Sequence, residues 1–290
     1  MGFRFTILVV LSFFVVSQGL TQSFYAVRQD RDLIGSVGIG TSTYFGEFQN
    51  PKNYIDAKPS ISIGAQVFPA PYFIGDRLSV RAELSWFRLQ GSDANANDDR
   101  VVRNLSFYSN NIELNVVGAI HAMPQHIKYY RIFKRSTINI YGLVGAGILY
   151  TNPKTEYQGK KVALQPLQTE GINYTRFQFV IPYGLGISYK TNSYYNIILE
   201  GVWRKTFTDY LDDASSTRYL DPTLLSSDLS RALSDRRKER DPSYVTSPGR
   251  GRRGNPDKKD SYMLINIKVE YYLPVKLGIN DRRYRRTKRR

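Results

Sequence analysis

The chain has 290 residues, a formal net charge of +16 and no cysteine. The lack of cysteine excludes disulfides, thiol catalysis and cysteine-ligated metals. Aromatic residues are abundant, with 22 Tyr and 15 Phe against 3 Met, as expected for a protein whose rings lie at two bilayer interfaces. A soluble β-sandwich also favours Tyr and Phe and is the alternative.

The first 21 residues have the features of a secretory signal peptide. Arg4 supplies a positive charge, residues 5–16 form an apolar run, and residues 17–22 are small or polar. The apolar run is too short for a spanning helix, which needs roughly 20 residues. We expect cleavage after Thr21, which leaves either a soluble periplasmic or secreted protein or an outer-membrane barrel.

Eight later segments alternate apolar and polar side chains, which is the pattern of β-strands. In the third segment, Leu84 and Trp86 share one face, whereas Arg81 and Glu83 share the other. Apolar residues facing lipid and charged residues facing the lumen are typical of a membrane barrel. The segments predict an all-β fold, an eight-stranded antiparallel transmembrane β-barrel within residues 22–275. The predicted strands cover residues 33–48, 58–68, 78–89, 105–120, 137–150, 177–189, 195–207 and 261–273.

The connections between these strands predict the orientation of the barrel. Residues 69–77 and 190–194 are short connections, whereas 151–176 and 208–260 are long. Bacterial barrels place short turns in the periplasm and long loops outside. We therefore expect both termini in the periplasm. Residues 236–259 are rich in Arg, Lys, Gly and Pro, a composition that predicts a mobile outer loop.

Charged residues of both signs are predicted to point into the lumen. An eight-stranded barrel is only wide enough for its inward side chains, so these residues predict a plug of paired charges. A proton or ion path is the alternative. The predicted lumen residues are Arg81, Glu83, Glu113, Glu200, Arg204, Lys268 and Glu270.

Catalytic and metal sites receive little support from the sequence. The two histidines, His121 and His126, fall in a predicted periplasmic turn, away from the outer mouth where hydrolase sites of small barrels are usually built. We therefore expect no enzyme activity, cofactor or small-molecule substrate. Asp209, Asp212 and Asp213 are candidate ligands for Ca²⁺, with the formation of turns and caps as the alternative.

Two basic segments are candidate contacts for a periplasmic partner. One is the turn over residues 119–136, whose basic and aromatic side chains are Tyr129, Tyr130, Arg131, Lys134 and Arg135. The other is a C-terminal tail over residues 276–290, which includes Arg282, Arg283, Arg285 and Arg286. A periplasmic tail would rarely meet nucleic acid, so an acidic protein ring, anionic lipid or the cell wall are better partners. A solvated disordered tail is the alternative.

The segment after the seventh strand carries a family resemblance. It reads Phe207-Thr208-Asp209-Tyr210-Leu211-Asp212-Asp213-Ala214-Ser215, and it resembles the signature of the PorG family. Residues 44–47, 103–107, 168–171 and, more loosely, 229–240 resemble the same family, in an order that spans residues 34–273. PorG-family proteins are outer-membrane proteins associated with the type IX secretion system of Bacteroidota.

The resemblance implies a non-enzymatic part of a secretion machine. Such a protein contacts the outer-membrane lipid and the periplasmic ring built from the PorK lipoprotein and PorN, and helps secreted and gliding-associated proteins to cross. A stand-alone structural or adhesive barrel shares the same fold and is the alternative.

Overall fold

The computed structural model describes residues 31–48, 57–69, 76–95, 100–125, 132–244 and 253–277. The predicted signal peptide, residues 1–21, lies outside the described residues. The same holds for the predicted tail, residues 276–290, apart from its first two residues.

Eight long strands close into an antiparallel barrel. Each pairs with the next long strand along the chain, and β1 pairs with β10 to close the ring. Two short strands form a hairpin that extends from β4 through the pair Tyr108 and Lys154. The predicted eight-stranded barrel is therefore confirmed. The strands are β1 (Leu33–Phe45), β2 (Lys58–Val67), β3 (Leu78–Ser92), β4 (Ser106–His121), β5 (Ile138–Tyr150), β6 (Lys154–Tyr157), β7 (Lys160–Ala163), β8 (Phe177–Lys190), β9 (Tyr195–Thr206) and β10 (Ser261–Leu273).

The observed strands differ from the predicted ones mainly at the end that carries the long connections. β1 ends at Phe45 instead of Phe48, because the chain turns inward there and Phe48 packs beside Phe107, with ring centroids 5.6 Å apart. β3 continues to Ser92 because every residue from Leu78 to Ser92 pairs with β4. The hairpin β6–β7 lies within a connection that the sequence predicted as loop.

Side chains alternate between the lumen and the outer surface along each barrel strand. On β3, Arg81 and Glu83 are almost fully buried, whereas Leu84 is 47% exposed and Trp86 is 38% exposed. The outer surface thus carries a continuous apolar belt, the inverse of a water-soluble barrel. One exposed apolar residue from each barrel strand, in chain order, is Ile39, Ile63, Leu84, Leu114, Val144, Leu185, Leu199 and Ile267.

Aromatic pairs border this belt at both of its edges. Tyr195 stacks on Tyr271 near the chain termini, with ring centroids 4.7 Å apart. At the opposite edge Phe45 stacks on Trp203 at 4.4 Å, and Tyr150 contacts Phe177 at 5.3 Å. Aromatic rings concentrate at these two levels in membrane barrels, where each ring lies between hydrocarbon and headgroups.

The two ends of the barrel differ in how they are covered. The terminal end carries the residues before β1 and after β10, together with residues 191–194 and 122–137. The loop end carries the longer connections 151–176 and 207–260. Among the described residues, no helix is long and apolar enough to cross a membrane.

The long connections fold into a cap over the loop end, formed by residues 164–174, 207–244 and 253–260. Leu211 and Leu233 of the cap are almost fully buried against lumen residues such as Phe107 and Tyr262. A helix, Asp228–Ser234, supports this packing and begins with the Ser227 hydroxyl accepting a hydrogen bond from the Ser230 amide at 3.0 Å. Within the segment 236–259, the side chains of Arg237 and Arg253 are buried, and the mobility predicted for this loop stays a prediction.

Candidate functional site

Two positive and two negative side chains form a closed network across the middle of the lumen. Arg81 on β3 donates from Nη2 to both carboxylate oxygens of Glu200 on β9, at 2.8 Å each. Lys268 on β10 donates from Nζ to Glu83 Oε2 at 2.5 Å and to Glu200 Oε1 at 2.6 Å. Because β3 lies across the ring from β9 and β10, the network joins opposite walls of the barrel.

Small residues and one tyrosine complete the packing around this network. A Cβ added at Gly38 would lie 2.6 Å from Cγ of Lys268, so glycine leaves room for the lysine side chain. A Cβ at Gly186 would lie 2.2 Å from the ring of Tyr141, whose hydroxyl donates to Glu200 Oε2 at 2.7 Å. Each charge of the network is thus paired and enclosed, as buried charges require.

A second polar layer lies closer to the loop end. Glu113 accepts hydrogen bonds from the Tyr262 hydroxyl at 2.6 Å and from the Asn115 amide at 2.6 Å. Arg204 Nε lies 3.4 Å from Glu113 Oε1 and its Nη1 donates to the carbonyl of Val202 at 2.9 Å. Above this layer the lumen is filled by aromatic rings, beginning with Phe87 stacked on Tyr262.

A Ser-His-Asn arrangement lies in the lumen towards the terminal end. His121 is the last residue of β4, and its ring points inward between Ser79 and Asn139. Nε2 lies 2.9 Å from the Ser79 hydroxyl, and Nδ1 lies 2.9 Å from the Asn139 amide nitrogen. The expectation that His121 lies in a turn outside the barrel is therefore wrong. His126 lies outside the described residues.

The hydrogen-bond directions in this group differ from those of a nucleophilic triad. Asn139 Oδ1 accepts from the Met123 amide at 2.9 Å, so the Asn139 amide nitrogen faces His121 and can only donate to Nδ1. His121 then carries its proton on Nε2 and donates it to Ser79, so it has no lone pair available to accept the proton of Ser79. All three side chains are also buried.

The terminal end is closed by Arg135 and aromatic residues. Arg135 donates to Asn196 Oδ1 at 2.9 Å and to the carbonyl of Ser193 at 2.9 Å, and its guanidinium lies 4.1 Å from the ring centre of Tyr272. Asn196 in turn donates to Glu270 Oε2 at 2.9 Å. The hypothesis that Arg135 contacts a partner is therefore not supported by its position, since its guanidinium is buried inside the barrel.

The other residues proposed for partner contact are more exposed or are not described. Lys134 is exposed at the terminal end. The following residues lie outside the described part of the chain: Tyr129, Tyr130, Arg131, Arg282, Arg283, Arg285 and Arg286.

The three aspartates of the family-like segment lie in the cap, but their side chains point to different neighbours. Asp212 accepts from the Tyr44 hydroxyl at 2.6 Å, and Asp213 accepts from the Tyr174 hydroxyl at 2.6 Å and from Thr169 at 2.5 Å. Asp209 instead approaches Glu47 and Asp260. The candidate metal site formed by Asp209, Asp212 and Asp213 together is therefore wrong. The family-like segment also contains two aromatic residues, Tyr210 and Phe207. Tyr210 stacks on Tyr174, with ring centroids 4.8 Å apart. Phe207 is exposed on the outer surface and stacks on Phe179, with ring centroids 5.8 Å apart.

Tyr44 joins two carboxyl groups beneath the cap. Its hydroxyl lies 2.6 Å from Asp212 Oδ2 and 2.7 Å from Asp260 Oδ1. A hydroxyl has one proton to donate, so the second contact needs a proton on a carboxyl group. Burial and their mutual repulsion raise the pKa of Asp212 well above its usual range, and burial likewise raises the pKa of Asp260. A shared proton in this pair satisfies both contacts.

Arg253 organises the other side of the cap. It pairs with Glu170 through Nη1, and it donates to the carbonyl of Asp213 at 2.7 Å and to the Thr169 hydroxyl at 2.9 Å. Glu170 also accepts from the backbone amides of Ser215 and Ser216. Burial raises the pKa of Asp213 to about 6, against the opposing effect of the Arg253 charge.

Family-like segments that are far apart in the sequence therefore meet at one place. Tyr44 and Glu47 come from the first segment, Arg103 from the second, and Glu170 from the third, and all four contact the cap. Sequence reasoning recognised the segments but missed Asp260, Arg253 and the contacts among them, because no local pattern indicates which loops meet.

One cavity beneath the cap is small. A cavity of about 10 Å³ between the cap and β6 is lined by residues that include Thr155, Asp212 and Arg253. This volume accommodates about one water molecule and is too small for an organic substrate.

A closed eight-stranded barrel with an apolar outer belt, two aromatic edges and a charged lumen defines a transmembrane β-barrel protein. No protein-family model and no curated protein matches the chain. The resemblance to the PorG family therefore depends on the sequence segments alone.

Several solved barrel structures are similar in fold. Ail, the attachment invasion locus protein of Yersinia pestis, aligns with a TM-score of 0.40 and 10% identity over 83% of this chain and 98% of Ail. Neisserial surface protein A aligns with a TM-score of 0.38 and 9% identity over 83% of this chain and 97% of its own. A major outer membrane protein from Thermus thermophilus aligns with a TM-score of 0.39 and 12% identity over 82% of this chain and 98% of its own. At such scores and identities the similarity carries no functional assignment.

Proposed function

We propose that the protein is a non-enzymatic outer-membrane component of the type IX secretion and gliding machinery. In this role it anchors or organises a periplasmic ring of PorK-like and PorN-like proteins. The observation that carries the proposal is the convergence of the family-like segments in one buried network, from Tyr44 and Asp212 to Glu170 and Arg253. The segments that resemble the PorG family, and that occur in the same order along the chain, thus also meet in one structural unit.

The interior of the barrel supports an organising role more than a transport role. The network of Arg81, Glu200 and Lys268 occupies the middle of the lumen, and aromatic rings and the cap fill the loop end. A secreted protein would need a much wider passage, so the cargo crosses elsewhere. The direction of the His121 hydrogen bonds supports a non-enzymatic role.

The proposed orientation places the terminal end in the periplasm. Barrels of this class have short periplasmic turns and long outer loops, which matches the short connection 191–194 and the capped loop end. Lys134, which is exposed at the terminal end, would then face the ring. The sequence-based proposals for Tyr129, Tyr130, Arg131 and the basic tail concern the same contact. A polybasic segment near an anionic surface gains roughly 1 kcal/mol per basic residue.

A pull-down in mild detergent tests this proposal. An affinity tag inserted between Gln158 and Gly159 leaves both termini unaltered, and mass spectrometry identifies the proteins that copurify from outer membranes. We expect PorK-like and PorN-like ring proteins. Recovery of a correctly folded barrel without them would contradict the proposal.

Two matched variants locate the contact. Replacing Arg282, Arg283, Arg285 and Arg286 by Ser should weaken recovery of the ring. Replacing four exposed basic residues at the loop end by Ser removes the same charge and should leave recovery unchanged. These control residues are Lys160, Lys161, Lys238 and Arg240. Equal recovery with both variants would exclude the tail as the contact.

A stand-alone structural or adhesive barrel is the second candidate function. The cap presents apolar side chains at the surface, with Leu224 70% exposed and Ile172 46% exposed. Exposed apolar groups on an otherwise compact cap favour contact with another surface. Recovery of the barrel alone in the pull-down would favour this function.

A further inference from the structure

Three carboxylate groups from neighbouring strands meet beneath the cap. Glu47 follows β1, Asp209 follows β9 and Asp260 precedes β10. Because β10 lies between β1 and β9 in the barrel, the ends of these strands bring the three side chains together. One oxygen from each carboxylate lies within 4.8 Å of the others.

Asp209 provides an independent indication of a missing ligand. It is only 2% exposed, and neither of its carboxylate oxygens has a hydrogen-bond partner. Buried carboxylates normally accept several hydrogen bonds or contact a positive charge, and Asp212 and Asp213 nearby do so. Asp209 instead points towards Glu47 and Asp260 with both oxygens available.

The described basic side chains near Asp209 donate to other groups, and Lys259 Nζ donates to the carbonyl of Pro256 at 3.1 Å. Arg103 donates from Nε and Nη2 to Asp93, at 2.7 Å each. Arg253 binds Glu170 and the backbone of Asp213. No described basic side chain therefore neutralises Asp209 directly, and a cation is the group that would balance its buried charge.

We propose that Glu47, Asp209 and Asp260 form a binding site for a divalent cation, and that this cation is Ca²⁺. Calcium binds carboxylate oxygens at about 2.3–2.6 Å, so two ligand atoms on opposite sides of one ion lie about 5 Å apart. The observed spacing of the three oxygens fits around one such ion. Calcium also accepts irregular ligand geometry and water in its remaining positions, unlike Mg²⁺.

The consequence is a cap that is held closed by calcium. Asp209 and Asp260 lie in the cap, whereas Glu47 follows β1 on the rim of the barrel. A shared ion would therefore fasten the cap to the rim of the barrel. This inference is independent of the secretion role, since it concerns the cap alone.

Calcium titration of the purified full-length protein tests the site. Isothermal titration calorimetry in detergent, after removal of metal with a chelator, should show one Ca²⁺ per chain. Limited proteolysis should show slower cleavage within residues 207–244 when Ca²⁺ is added. Absence of binding at millimolar Ca²⁺ would overturn the proposal.

Matched variants separate the site from general charge effects. Asp209→Asn should weaken Ca²⁺ binding at least tenfold and remove the protection of the cap. Asp228→Asn removes the same charge from an exposed side chain of the cap and should bind Ca²⁺ like the unmodified protein. Unchanged binding in Asp209→Asn would also overturn the proposal. If this variant fails to fold, as judged by heat-modifiable mobility on gels, Glu47→Gln replaces it with the same expected loss.

Discussion

Glu200 has the largest share of the charge pairing in the lumen. Its carboxylate accepts hydrogen bonds from Arg81, Lys268 and Tyr141, which come from three different strands. Lys268 also pairs with Glu83, but Arg81 has only the longer 3.2 Å contact from Nε to that carboxylate. Loss of the Glu200 charge would thus leave two buried cations to share one anion.

The first prediction is that Glu200→Gln destabilises the barrel by about 3–5 kcal/mol, the usual consequence of removing one partner from a buried ion pair. Urea unfolding in lipid vesicles, followed by fluorescence, measures the change. Glu156→Gln is the control, because Glu156 is exposed on the β6–β7 hairpin. Equal unfolding midpoints for both variants would show that the lumen charges do not hold the barrel together.

At the scale of elements, the barrel strands could be predicted and the cap could not. The alternation of Arg81 and Glu83 with Leu84 and Trp86 is a local pattern, so it identifies a strand and its two faces. The contacts of Arg253 with Glu170 and Asp213 join residues that are 83 and 40 positions apart. Nothing in the neighbourhood of Arg253, a stretch of Gly, Arg and Pro, distinguishes it from a solvated loop.

The second prediction concerns the outer face of β3. Leu84 lies in the middle of the strand and pairs with Ile63 on one side and Leu114 on the other. Leu84→Arg should destabilise the protein by about 2–4 kcal/mol in a bilayer, because a charge is placed near the midplane. Leu224→Arg makes the same exchange in the cap, where Leu224 is 70% exposed, and should be neutral. Folding yield in vesicles measures both, and equal yields would contradict a lipid-facing Leu84.

For the whole molecule, the two ends of the barrel are built differently. The loop end is covered by a packed cap with a carboxylate cluster, whereas the terminal end is closed from within by Arg135 and Tyr272. The sequence indicated which residues are charged and which strand faces they occupy. It did not indicate that Arg135 turns inward, because residues beyond the end of a strand no longer follow its alternation.

The last prediction concerns which end faces outward. The tip of the β6–β7 hairpin, Gln158 and Gly159, is exposed, and a Cβ at Gly159 would meet no atom within 4 Å. An epitope inserted between them should leave the fold intact, because exposed hairpin tips tolerate insertion. Antibody should label this epitope on intact cells, whereas a tag after Arg290 should be labelled only after the outer membrane is permeabilised. A periplasmic marker that stays unlabelled in intact cells controls for leakage. The reverse labelling pattern would place the cap in the periplasm and the terminal end outside, and the proposed contact with a periplasmic ring would then have to involve the cap.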